Sequence, residues 1–132
     1  MSKKNLFDTF VKFINLNNIK QIIISTGLGN YAINLSKFVN MKQYEYISNN
    51  EPTLFIGMYR DYEYNLCVNH KGKKWVYWYK NDCSPLHESR VSKVKTIAST
   101  NVDAHLYEDN ETMNNLNHFK LTICNKVRYY AK

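Results

Sequence analysis

Apolar positions along this chain fall into two patterns that alternate. At Leu6, Phe7, Phe10, Val11, Phe13 and Ile14 they recur at spacings of three and four, which predicts an amphipathic helix over residues 6–16, stopped by Asn17-Asn18. At Ile22-Ile23-Ile24 they run without a break, which predicts a short strand over 20–25 with both faces covered. A second helical pattern follows in Tyr31, Leu35, Phe38 and Val39. Strands are then predicted over 43–47 and 53–59, and a helix over 61–68. Next comes a strand over 75–79, where Trp75-Val76-Tyr77-Trp78-Tyr79 are aromatic or β-branched throughout. A short helix over 87–94, a strand over 95–99, a helix over 111–119 with Met113, Leu116 and Phe119 on one side, and a strand over 120–124 complete the order.

Strands and helices in alternation predict an α/β fold: a single Rossmann-like domain with a mostly parallel sheet, flanking helices and right-handed crossovers. No repeat, linker or low-complexity block divides the 132 residues, so one domain spans 1–132, long enough for an ordinary core.

Charge and cysteines narrow the functional classes. The formal net charge of +7 favours anionic partners, although surface lysines also serve solubility alone. Fifteen of the 18 basic residues are Lys, and the bidentate phosphate reader Arg stands only at Arg60, Arg90 and Arg128. Cys67, Cys83 and Cys124 form no C-x-x-C pair, which argues against a disulfide framework or a zinc ribbon and for a reducing compartment. Cys83 and His87 have a possible ligand spacing without a second pair nearby, and the acids Asp103, Glu108, Asp109 and Glu111 lack the D-x-D-x-D-G order of a calcium loop, so no metal is expected. No apolar run approaches a membrane span, and a cytoplasmic protein is expected.

Three stretches carry candidate chemistry. Gly27-Leu28-Gly29-Asn30-Tyr31-Ala32 reads G-x-G-x-x-A between a predicted strand and helix, where backbone N–H groups receive a phosphate in dinucleotide-binding folds. Glu45 stands near the distance of a ribose-binding acid, but so short a motif is weak, and no cofactor is expected. The turn Asn69-His70-Lys71-Gly72 precedes the aromatic strand, and Lys80-Asn81-Asp82 follows it, where ligands bind in open α/β sheets. Lys71, Lys73 and Lys74 beside Trp75 and Tyr77, and Lys126, Arg128 and Tyr129-Tyr130 in the tail, offer the charges and rings of a single-strand nucleic-acid binder. An aromatic strand between helices would instead hide its rings.

Residues 44–124 also show a family resemblance, strongest over 53–83. It rests on Pro52-Thr53-Leu54-Phe55-Ile56-Gly57-Met58-Tyr59, on Asn69-His70-Lys71-Gly72-Lys73-Lys74, on the aromatic strand to Asp82, and on Met113-Asn114-Asn115-Leu116-Asn117-His118-Phe119. These resemble the amino-terminal half of a glycosyltransferase-like family of large DNA viruses and some bacteria, whose pattern reads N-H-x-G-x-K, W-x-G-x-D and N-N-L-x-x-F. The resemblance implies one lobe of a two-lobed enzyme: the acceptor side, with a nucleotide sugar held by the other lobe. It implies Asp82 as catalytic base, His70 beside it, and Asn69, Gly72, Lys80 and Asn81 as ligand-binding, with Gly27 and Gly29 added from the glycine loop. Lys80 stands where the family has glycine, and a second lobe would begin where this sequence ends. The expectation is therefore a truncated or stand-alone module that binds a sugar, a nucleotide or a glycan acceptor without complete catalytic machinery. A homodimer or a partner chain supplying the second lobe fits that expectation. A basic nucleic-acid binder and a homo-oligomeric structural protein are the alternatives. Asp82 has a structural role open to it too, as a turn former or helix cap.

Overall fold

The three unbroken apolar runs form the first three strands of a parallel sheet. The computed structural model describes residues 3–79, 88–98, 100–107, 110–118 and 124–126. Strands β1 (Gln21–Ile24), β2 (Thr53–Ile56), β3 (Lys74–Tyr77), β4 (Ala104–Tyr107) and β5 (Cys124–Lys126) lie side by side in chain order, every neighbour parallel. The helices are α1 (Lys3–Leu16), α2 (Asn30–Phe38), α3 (Asp61–Asn69), α4 (Glu88–Ala98) and α5 (Asn110–His118). This is the α/β, Rossmann-like arrangement that the alternating pattern implies.

Alternate residues of each strand serve two cores. Ile22, Leu54, Ile56, Trp75, Tyr77, Ala104 and Leu106 pack on one face against Phe10 and Ile14 of α1, Leu35 of α2 and Val39 just after it. Phe55, Val76 and Trp78 pack on the other against Tyr64 and Cys67 of α3, Val94 and Ile97 of α4, and Leu116 of α5. Aromatic edges fill the first core: Phe10 meets Tyr77 at 4.9 Å and 80°, and Phe13 meets Trp75 at 6.2 Å and 88°. Burial on both faces is why these strands show no alternation in sequence.

The helix placement fixes the hand of the crossovers relative to one another. All four connections step the same way across the sheet, yet α2 lies on one face and α3, α4 and α5 on the other. The β1–β2 crossover therefore has the opposite hand to the other three, against the expectation of a single hand throughout. As a result, the chain leaves β1 toward one face and leaves β2 toward the other.

Several elements differ from the sequence pattern. Residues 43–47 form no strand; a 3₁₀ turn covers Met41–Tyr44 and irregular chain follows. The buried Gln21 side chain holds the end of this stretch instead. Its Oε1 accepts from the N–H groups of Ile47 and Ser48, both at 2.8 Å, and its Nε2 donates to the Ser48 carbonyl at 2.7 Å and Thr53 Oγ1 at 2.8 Å. One amide thus takes the backbone bonds that a ladder would use. Of residues 95–99, read as a strand, the described 95–98 continue the helix predicted before them: α4 is a single helix, with Val94 and Ile97 buried three apart. The place in the sheet goes to β4, whose Ala104-His105 start carries little strand signal. Gly57, at φ +80°, turns the chain out of β2, a backbone angle that favours glycine.

Candidate functional site

The crossover of opposite hand sends the chain toward opposite faces beyond β1 and β2. Ligands in parallel sheets settle beyond the carboxyl ends of two adjacent strands whose following loops diverge to opposite faces. Doubly wound sheets achieve this by reversing strand order; here β1 and β2 achieve it without reversal.

A buried carboxylate ties the two diverging loops together. Glu63, in the first turn of α3, is fully buried, and its Oε1 accepts from Ser25 Oγ at 2.7 Å and from the N–H groups of Tyr59 and Arg60, each at 2.9 Å. Ser25 Oγ in turn accepts from the Gly27 N–H at 3.1 Å, which starts the 3₁₀ turn Thr26–Leu28. Glu63 Oε2 has no hydrogen-bond partner among the described residues. Tyr59 Oη donates to the Tyr79 carbonyl at 2.6 Å, which adds the exit of β3 to the same network. Sequence reading missed this constellation. Its one local signal was an acid in the third position of a helix, where it reaches back to the first free N–H groups.

Beside this network a groove runs along α2 at the open edge of β1. Ile24, Thr26, Gly29, Ile33, Ser36 and Lys37 enclose a cavity of about 590 Å³, within the range of small-molecule pockets. Ile24 forms its apolar floor, the exposed Ile33 stands on its wall, and Lys37 stands exposed at one end. Gly29 stands at the other end. Its φ of +61° favours glycine, no atom lies within 4 Å of where a Cβ would be, and no side chain caps the helix that it starts. Eight residues of helix separate Gly29 from Lys37, about 12 Å at 1.5 Å per residue.

The candidate residues chosen from sequence divide between opposite ends of the sheet. Gly27 and Gly29 lie at the carboxyl edge. Gly27 is small for packing, since a Cβ there would stand 2.5 Å from Tyr59 Cβ. Asn69, His70 and Gly72 lie at the amino edge, before β3 begins. Four strand residues, about 13 Å, separate the two edges. Lys80, Asn81 and Asp82 lie outside the described residues, as does the loop acid's proposed helix cap beyond Pro85.

At the amino edge the side chains are already engaged. Asn69 Nδ2 donates back to the Asn65 carbonyl at 2.9 Å, closing the end of α3. His70 is buried, its Nδ1 2.9 Å from Tyr46 Oη and its ring edge-on to Phe55; its Nε2 makes no well-formed hydrogen bond among the described residues. Burial pushes its pKa below the usual imidazole range; the Glu51 and Lys73 carbonyls act against this, and Lys74 adds to it. A neutral, buried imidazole results. Gly72 does not show a positive φ; it is small because a Cβ would stand 2.2 Å from the Asn50 carbonyl oxygen. Lys74, also buried, gives its Nζ to the Cys67 and His70 carbonyls at 2.6 and 3.2 Å, and burial lowers its pKa. Cys67 is buried, and its thiol is pushed up to about 12 by desolvation, so it is no nucleophile.

Trp75, Tyr77 and Trp78 are all buried, so they offer no stacking platform for bases. Among the described residues no group of three His, Cys, Asp or Glu could hold a metal ion, and no helix is long and apolar enough to cross a membrane. The chain matches no protein-family model, no curated protein and no solved structure.

Proposed function

We propose that this chain is a ligand-binding α/β module, glycosyltransferase-like in its sequence pattern, whose site is the groove along α2 at the carboxyl edge of the sheet. One observation carries the reading: Gly29 opens the uncapped start of α2 directly onto a cavity with an apolar floor. Free N–H groups and the helix dipole there favour an anionic group, the floor suits a ring, and Lys37 supplies a second positive point. An elongated phosphorylated ligand with a polar ring, such as a nucleotide sugar, meets all three. The Glu63 network supports the reading by fixing, through Ser25 and the Gly27 N–H, the turn that leads into Gly29. Catalysis by Asp82 belongs to the same proposal as a separate step, since transfer to an acceptor hydroxyl needs a base.

A thermal-shift panel of nucleotide sugars, free nucleotides, NAD and a short oligonucleotide, at low and moderate salt, tests it. A ligand at 100 times its Kd adds about 2.7 kcal/mol, a shift of several degrees for a domain of this size. The expected result is a salt-tolerant shift with a nucleotide or nucleotide sugar, reduced by Lys37→Gln and abolished by Ile33→Glu. Turnover that disappears in Asp82→Asn would identify an enzyme, and binding without turnover a binding module. A shift with oligonucleotide alone, lost with salt, would refute the groove reading in favour of nucleic acid.

A further inference from the structure

We propose that the pocket between the starts of β3 and β4, at the amino edge of the sheet, binds a small polyphosphate anion through Lys71 and Lys73. This is a second site, across the sheet from the groove along α2, and it does not depend on that groove. The pocket encloses about 560 Å³, with Val68, Lys71, Lys73, Thr100, Asn101 and Asp103 in its wall.

Two helices end here, and a helix carboxyl end carries negative partial charge that would repel an anion. At each end a carbonyl that would face the anion is already engaged. Lys74 Nζ takes the Cys67 and His70 carbonyls at the end of α3. After α4, the N–H and Oγ1 of Thr100 both reach the Ile97 carbonyl, at 3.0 and 2.7 Å. Asp103 is engaged as well, since its Oδ2 accepts from the Lys74 N–H at 2.8 Å. Among the described residues it is the only acid in the wall, and Lys71 and Lys73 outnumber it.

These two lysines are exposed, and neither side chain has a partner among the described residues. Their loop is held rigid. The N–H groups of Lys71 and Gly72 both donate to the Asn49 carbonyl, at 2.8 and 2.9 Å, and Gly72 abuts the Asn50 backbone. Two ammonium groups carried on a fixed turn beside a polar hollow suit one compact, multiply charged anion. With Trp75 and Tyr77 only 7% and 0% exposed, nothing there stacks a base, which favours a small anion over a nucleic-acid strand.

Two-dimensional ¹H–¹⁵N spectra, titrated with pyrophosphate, inorganic phosphate and a short single-stranded oligonucleotide, test the assignment. Pyrophosphate is expected to shift the amides of residues 71–73, 100 and 101 in a saturable way and more tightly than phosphate does. Lys71→Gln with Lys73→Gln should weaken it by at least roughly tenfold, the effect of losing even one charge-assisted hydrogen bond. Lys37→Gln should leave it unchanged, which separates this site from the groove. Both lysines are exposed, so folding of the double variant is not at risk. Non-saturating shifts spread over the chain's lysines, or binding unchanged in the double variant, would overturn the proposal. So would an oligonucleotide that binds through these residues more tightly than pyrophosphate.

Discussion

Acidification should destabilise this fold through one buried histidine. Trp78 Nε1 donates to His105 Nδ1 at 3.0 Å, with the rings stacked at 6.1 Å and 24°; Trp78 is fully buried and His105 is 5% exposed. The bond requires Nδ1 to be unprotonated. Protonation would place a second hydrogen against the indole N–H and a charge in a dry core. Burial accordingly lowers the His105 pKa from 6.5 to about 4. Because the folded value lies below the unfolded one, the unfolded chain binds the proton more readily. The stabilisation is complete above pH 6.5, is lost as pH falls from 6.5 toward 4, and changes no further below that. At about 1.4 kcal/mol per pH unit the loss is about 3 kcal/mol, a large part of the 5–15 kcal/mol typical of a domain. His70, also lowered by burial, acts in the same direction. Urea unfolding followed by tryptophan fluorescence at several pH values between 7.5 and 4 would measure this. His105→Asn serves as reference, since its amide oxygen still accepts from the indole but does not titrate. Subtracting the variant's curve removes the effect of carboxylates common to both. Parallel curves, within about 0.5 kcal/mol across the range, would refute the reasoning.

Substitutions at two further positions probe the loops that frame the sites. Glu63→Ala removes the acceptor of the buried Ser25 hydroxyl and of the part-buried Tyr59 and Arg60 N–H groups, and should cost about 1–3 kcal/mol, the penalty for the one fully buried orphan. Glu63→Gln, which keeps an accepting oxygen, should cost clearly less; equal losses in chemical denaturation would show that the carboxylate's bonds are not what matters. Gly72→Ala forces a Cβ to within 2.2 Å of the Asn50 carbonyl oxygen and should cost about 1–3 kcal/mol as an overpacked contact. A melting temperature equal to wild type would mean that the turn yields more easily than its two bonds to Asn49 suggest.

The sequence by itself determined the class of fold, because burial on both faces leaves a local mark. Ile22–Ile24, Leu54–Ile56 and Trp75–Trp78 are apolar without interruption, and helical spacing placed α1, α2, α3 and α5 close to their observed limits. It also singled out Gly29, since a glycine between strand and helix is a local feature. What depended on distant partners was not legible. Gln21 holds Ile47 and Ser48 through bonds to residues 26 and 27 positions away, and Glu63 joins Ser25 across 38 positions. β4 was missed because His105 becomes a core residue only once Trp78 donates to it. The hand of the first crossover, and with it the place of the groove along α2, follows from which face α2 covers. The apolar stripe of a helix says that it must be buried, and only the packed sheet decides on which side.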